Sequence, residues 1–152
     1  MKFLKTAFFI CATIFSLSAN ARTPVPVINY ENIAIATTSG KPLQIEQVKQ
    51  AINVAATSKG WTVAYTADGS LLATLVVRNK HTIVVKVDYD ANKYSINYND
   101  SKNMKYGIID VQPTIASTNK DQSHNGQIEI HPFYNKWVLD FKNAIQAELI
   151  KL

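Results

Sequence analysis

The chain has 152 residues, a formal charge of +5 at neutral pH and one cysteine, Cys11. A single cysteine excludes an internal disulfide and a thiolate metal site. Sixteen basic residues stand against 11 acidic ones, but no run of four basic side chains occurs, so no nucleic-acid partner is expected.

The chain opens on a targeting segment. Lys2 and Lys5 give a basic start, residues 7–17 are apolar, and Ala19-Asn20-Ala21 is a small-x-small site. This is the layout of a secretory signal peptide cut after Ala21. An apolar run of about 11 residues is short of the roughly 20 that a spanning helix needs. Phe9 and Ile10 precede Cys11, where a lipid-attachment signal carries small residues. The expectation is a periplasmic or secreted protein that begins at Arg22, with no transmembrane segment after cleavage.

Residues 22–42 read as an extended arm or linker, punctuated by Pro24, Pro26 and Pro42. Within it, 27–35 suits a short edge strand, where a nearby proline is tolerated. From Leu43, the positions Ile45, Val48, Ile52, Ala55 and Ala56 follow a helical stripe that Gly60 stops. This predicts a helix over 43–59, with Pro42 at its start. Trp61, Val63 and Tyr65 then alternate with polar or small residues, and Asp68-Gly69 marks a hairpin turn. Strands are predicted over 71–78, 83–89 and 94–99, with turns at Asn79-Lys80 and at 90–93. A short strand is compatible with 108–111, and 112–127 reads as a flexible loop rich in Ser, Asn, Lys and Gln. His131-Pro132 opens a second helix, in which Tyr134, Trp137, Val138, Phe141, Ile145 and Leu149 share one face. Together these predict an α+β two-layer sandwich. A four-stranded antiparallel meander is flanked by an N-terminal and a C-terminal helix, in a single domain over 43–152.

Chemical motifs are sparse. His81, His124 and His131 lack the converging ligands of a metal site, so no metal is expected. The five glycines are scattered singly, so no phosphate loop and no cofactor is expected. No Gly-x-Ser-x-Gly elbow occurs. Asp88 and Asp90 read as a solvated surface pair. The aromatics are richer, with Tyr89, Tyr94, Tyr98, Tyr106, Phe133, Tyr134, Trp137 and Phe141 concentrated in the second half. Most are expected in the core, with Trp137 and Phe141 packing the second helix onto the sheet. The remainder would line a groove rimmed by amides. The candidate ligand-binding residues are Asn97, Asn99, Tyr106, His131 and Asn135.

Two stretches carry a resemblance. Tyr94-Ser95-Ile96-Asn97-Tyr98 with the following residues to Met104, and Ile130-His131-Pro132-Phe133-Tyr134-Asn135-Lys136-Trp137-Val138, resemble motifs of a family of small bacterial envelope proteins, some of them lipoproteins. The resemblance covers roughly residues 45–150. It implies a single α+β domain behind a signal sequence, and it brings no catalytic residues. The chain departs from that family in lacking the lipid-attachment cysteine and in its long 107–129 stretch. Read on their own chemistry, both motifs are junctions that lock the last strand to the last helix.

The function expected from these readings is a non-enzymatic envelope binding module whose partner is an envelope protein, a peptide or a glycan. Two alternatives stand beside it. One is a periplasmic hydrolase of envelope material, which needs His131, Asp110 or a tyrosine to converge in a cleft. The other is an inhibitor-like protective factor that presents the 112–127 loop.

Overall fold

A computed structural model describes residues 22–109 and 126–152. The expected signal peptide, Asp110, His124 and most of the expected 112–127 loop lie outside the described residues. The element order is β1 (Val25–Pro26), β2 (Tyr30–Ala34), α1 (Ile45–Ser58), β3 (Thr62–Tyr65), β4 (Leu71–Val77), β5 (His81–Tyr89), β6 (Lys93–Lys102), β7 (Gly107–Ile109), β8 (Gln127–Ile130) and α2 (Phe133–Leu149).

The class is α+β, with two helices and two antiparallel sheets among the described residues. The larger sheet has five strands in the order β2-β6-β5-β4-β3. This corrects the expected four-stranded meander: the sheet has a fifth strand, β2, paired along the outer edge of β6. A second sheet, β1-β8-β7, was not anticipated as a sheet. Its strands are two to four residues long, too short for a period of two to stand out.

Alternation decides which face of the large sheet is covered. Leu71 and Ala73 of β4, Ile83, Val85 and Val87 of β5, and Tyr94 and Ile96 of β6 are all buried. They point to the side where α1 and α2 lie next to each other, while Thr74, Lys86, Asp88 and Ser95 face the other way. Val48, Ile52, Ala55 and Ala56 of α1, and Tyr134, Val138, Phe141, Ile145 and Leu149 of α2, complete the same core. At its centre the Trp61 and Phe141 rings stack at 4.9 Å.

Local chemistry sets the boundaries. The helix α1 starts at Ile45, three residues beyond Pro42, and Gln47 Oε1 accepts the Gln44 N–H at 2.8 Å. It ends at Ser58 and is closed by Gly60, with φ at 76°. There Gly60 N–H donates to Thr57 O and Trp61 N–H to Ala56 O, a Schellman closure that needs a left-handed residue. A bulge interrupts β2, between Tyr30 and Ile33, with Asn32 left-handed at φ 52°. A second falls on β6 at Asn99, between Tyr98 and Asp100.

Trp137 differs from its expected role. It is half-buried and packs on Phe133 at the flank of α2, whereas Phe141 is fully enclosed. We expect Phe141→Ala to cost about 3–5 kcal/mol in urea unfolding, and Trp137→Ala roughly half that. A larger loss for Trp137→Ala would move the anchor of α2 from its central stripe to its flank.

Candidate functional site

A groove of about 530 Å³ opens where the two sheets meet. It is lined by Pro26 and Val27 from the arm, Asn29, Tyr98 of β6, Tyr106, and Gln127 and Ile128 of β8. Tyr106 and Tyr98 stack face to face, with centroids at 4.3 Å and planes 2° apart. Tyr98 in turn meets the buried Tyr134 edge-on at 5.6 Å. The three rings form a column from the surface to the core. Tyr106 is 44% exposed at its outer end, and the neighbouring Ile128 is 41% exposed.

Backbone geometry holds this column in place. The sharp turn after β6 uses two left-handed residues, Asn103 and Lys105, at φ 59° and 51°. Asn103 Nδ2 donates to Lys80 O at 2.6 Å, and Asn103 O lies 2.8 Å from His81 Nδ1. The turn is thereby tied to the β4–β5 hairpin, and Tyr106 returns over Tyr98. On the other side of the groove, Asn29 Oδ1 accepts the Tyr98 N–H at 2.9 Å.

The groove is chemically neutral. Among the described residues its lining has hydroxyls, amides and apolar groups but no carboxylate, histidine or lysine. Burial pushes the Tyr98 phenol up, against a smaller opposing effect of its bond to Ser101. The ring therefore offers a hydroxyl, not a phenolate, near neutral pH. Such a lining can stack on a flat apolar face and exchange hydrogen bonds with neutral groups.

Of the five residues singled out in the sequence, Tyr106 lines this groove. Asn97 sits on the sheet face turned away from the helices, half-buried, with its Oδ1 enclosed and without a partner among the described residues. Asn99 is exposed at the β6 bulge. Asn135 is a clamp: its Oδ1 accepts the Ile28 N–H at 3.1 Å, and its Nδ2 donates to Pro26 O at 2.8 Å. It fastens the arm to the first turn of α2. His131 faces His81, with ring centroids 6.2 Å apart. Sequence reasoning missed Asn29 and the pairing of Tyr98 with Tyr106. The available signal was two tyrosines on either side of a short polar turn.

Asp68, Asp88 and Asp90 serve the large sheet and its turns. Lys86 bridges Asp68 at 3.0 Å and Asp88 at 3.2 Å on the open sheet face. Asp68 is held well below the usual carboxylate range, first by the Thr66 hydroxyl, then by Ser70 and Lys86. Asp90 Oδ1 accepts the Asn92 and Lys93 N–H groups and shapes the β5–β6 turn. Among the described residues no three His, Cys, Asp or Glu side chains converge as metal ligands. The histidine pair is itself unsuited to share a metal. His131 Nδ1 accepts the Phe133 N–H at 3.2 Å, so ligation through Nε2 would require a proton on Nδ1 and would break that bond. Among the described residues, no helix is long and apolar enough to cross a membrane.

No protein-family model, no curated protein and no solved structure matches this chain.

His131 supports a pH prediction. Burial lowers its pKa from the ordinary 6.5, and the positive charges of His81, Arg22 and Lys105 lower it further. Between the unfolded and folded values, the unfolded chain holds a proton that the folded chain does not. Stability contributed by neutral His131 is therefore complete above about pH 6.5 and declines as pH falls below it. Thermal melts across that range should show this decline, and His131→Gln should flatten it. A decline of equal size in His131→Gln would assign it to other groups.

Proposed function

We propose that this chain is a non-enzymatic binding module of the bacterial envelope that holds a neutral peptide or glycan segment in the groove between its two sheets. The observation that carries this reading is the Tyr106–Tyr98 stack, open on one side and set among amides, with no carboxylate, histidine or lysine among the described lining residues. Aromatic faces take the apolar face of a sugar ring or a peptide side chain, and Asn29 and Gln127 bond neutral hydroxyls or amides at the rim. A hydrolase would need a proton donor and acceptor beside the bound substrate, and among the described residues the groove is lined by no carboxylate, histidine or lysine. Export to the periplasm is part of the proposal. Its support is the three-part segment before Arg22 and the resemblance of the 94–104 and 130–138 stretches to envelope proteins.

The test is an amide NMR titration of the protein with chitooligosaccharides and with a panel of neutral peptides. Ligand shifts should centre on Tyr98, Tyr106 and Ile128, and Tyr106→Ala should weaken binding about tenfold, the equivalent of roughly 1.4 kcal/mol. Asn135→Ala is the structural control. It frees the arm that forms one wall of the groove and lowers stability by about 1–3 kcal/mol, so it should weaken binding less than Tyr106→Ala, which removes the stacking ring itself. Binding unchanged in Tyr106→Ala, or shifts confined to another surface, would refute the groove.

A further inference from the structure

A second feature lies at the corner where the arm, β5, the β6–β7 turn and the start of α2 meet. Four cationic or titratable side chains gather there from four separate segments. The His131 and His81 rings are 6.2 Å apart. The Arg22 guanidinium lies 4.1 Å from the centre of the Phe133 ring, and that ring is 5.2 Å from His131. Lys105 Nζ reaches Arg22 O at 3.4 Å. Among the described residues, the ion pairs join Lys49 to Glu46, Lys86 to Asp68 and Asp88, and Lys151 to Glu148. Arg22 and Lys105 take part in none of them, and no described carboxylate is among the groups that set the charge around His131.

Hydrogen bonding orients these groups. The Asn103 carbonyl can only accept, so His81 carries its proton on Nδ1 and leaves Nε2 unused. The Phe133 N–H can only donate, so neutral His131 carries its proton on Nε2. Both bonds hold the rings through Nδ1; the Nε2 edge of neutral His131 then donates to a ligand, and that of His81 donates when its ring is protonated. Like charges collected in this way repel one another unless an anion stands among them. A carboxylate offers one charge and two oxygens. A phosphate group offers up to two charges and three oxygens, enough to engage donors from several segments together.

The geometry points to this corner as a binding site for a phosphate group, engaged by Arg22, Lys105 and the Nε2 edges of His81 and His131. The site is separate from the neutral groove and stands independently of it. The ligand is a phosphomonoester or inorganic phosphate, whether free in solution or displayed on a lipid headgroup.

The experiment follows the His81 and His131 ring resonances by NMR through a pH titration, with inorganic phosphate against sodium chloride at equal ionic strength. Phosphate should raise the His131 midpoint by up to about one pH unit, since an opposite charge within a few ångströms favours the protonated ring, against the loss of the Phe133 N–H bond that a protonated Nδ1 cannot accept. Arg22→Gln and Lys105→Gln should each reduce that rise, and the double variant should abolish it. Both substitutions are at exposed positions, and an unchanged amide spectrum verifies the fold. Equal midpoints in phosphate and chloride would overturn the site, as would a full rise in the double variant. Sedimentation with phosphatidic acid vesicles, but not with phosphatidylcholine vesicles, would identify a lipid headgroup as the source. A phosphate-dependent rise without sedimentation would identify a soluble phosphate ester.

Discussion

The apolar stripe of α2 on the large sheet is the contact from which the rest of the molecule follows. Tyr134, Val138, Phe141, Ile145 and Leu149 are buried along its length. They are long or branched side chains, each removing substantial apolar area from water. Once that stripe is seated, the N-terminal turn of α2 has one position and one rotation. Asn135 then faces the arm and accepts and donates along its backbone. The His131 N–H reaches Met104 O at 2.7 Å. The small sheet is therefore attached to the large one through the start of a single helix. The other end is fastened too, because the Thr38 N–H and hydroxyl both donate to Ile150 O.

This arrangement places polar groups where they cost free energy. The Tyr134 hydroxyl is enclosed without a partner among the described residues, and burial pushes its phenol far up. A buried hydroxyl without a hydrogen bond opposes folding by about 1–3 kcal/mol. Its ring compensates by packing: it is the base on which Tyr98 stands edge-on, and Tyr106 lies on Tyr98. The column thus carries the rigidity of the core out to the groove. Rigid aromatic groups lose little conformational entropy when a ligand docks, which favours a binding role for the exposed ring.

The legible parts of the fold were those with enough residues to complete a period. The stripe of α1, the alternation in β5 and β6, and the stripe of α2 each span two turns or more, or several pleats. Gly60 marked a helix end because only a left-handed residue closes a Schellman turn cheaply. The small sheet was illegible for the opposite reason. Val25–Pro26 offers two residues, and Gln127–Ile130 alternates for four beside a polar stretch. The pairing of β1 with β8 depends on contacts between residues more than 100 apart in sequence, and no local pattern encodes these. The candidate site divided on the same line. Tyr106, one of the aromatics that the periodic core positions leave over, lines the groove. Asn29 acquires its place from Tyr98, and His81 acquires its neighbour from a helix 50 residues away. Asn97, Asn99, His131 and Asn135 are polar residues beside strand ends and a helix start, where the same composition serves capping, clamping or binding.

The turn between β6 and β7 explains why one small region holds two surfaces of opposite character. Left-handed backbone at Asn103 and Lys105 reverses the chain within a few residues. Met104, between them, is buried and acts as the pivot. Lys105 then reaches back to Arg22 at the cationic corner, while Tyr106, the next residue, lies over Tyr98 in the neutral groove. Neither side chain could reach its neighbour if the turn were a longer loop, because extra residues would add freedom and remove the fixed alternation. The Asn103 amide is what keeps it short, bonded to Lys80 across the adjacent hairpin. A side chain without that amide would lose the tie, and with it the relative placement of Lys105 and Tyr106. The groove and the corner are thus chemically independent but mechanically joined, each positioned by the same few residues of left-handed chain.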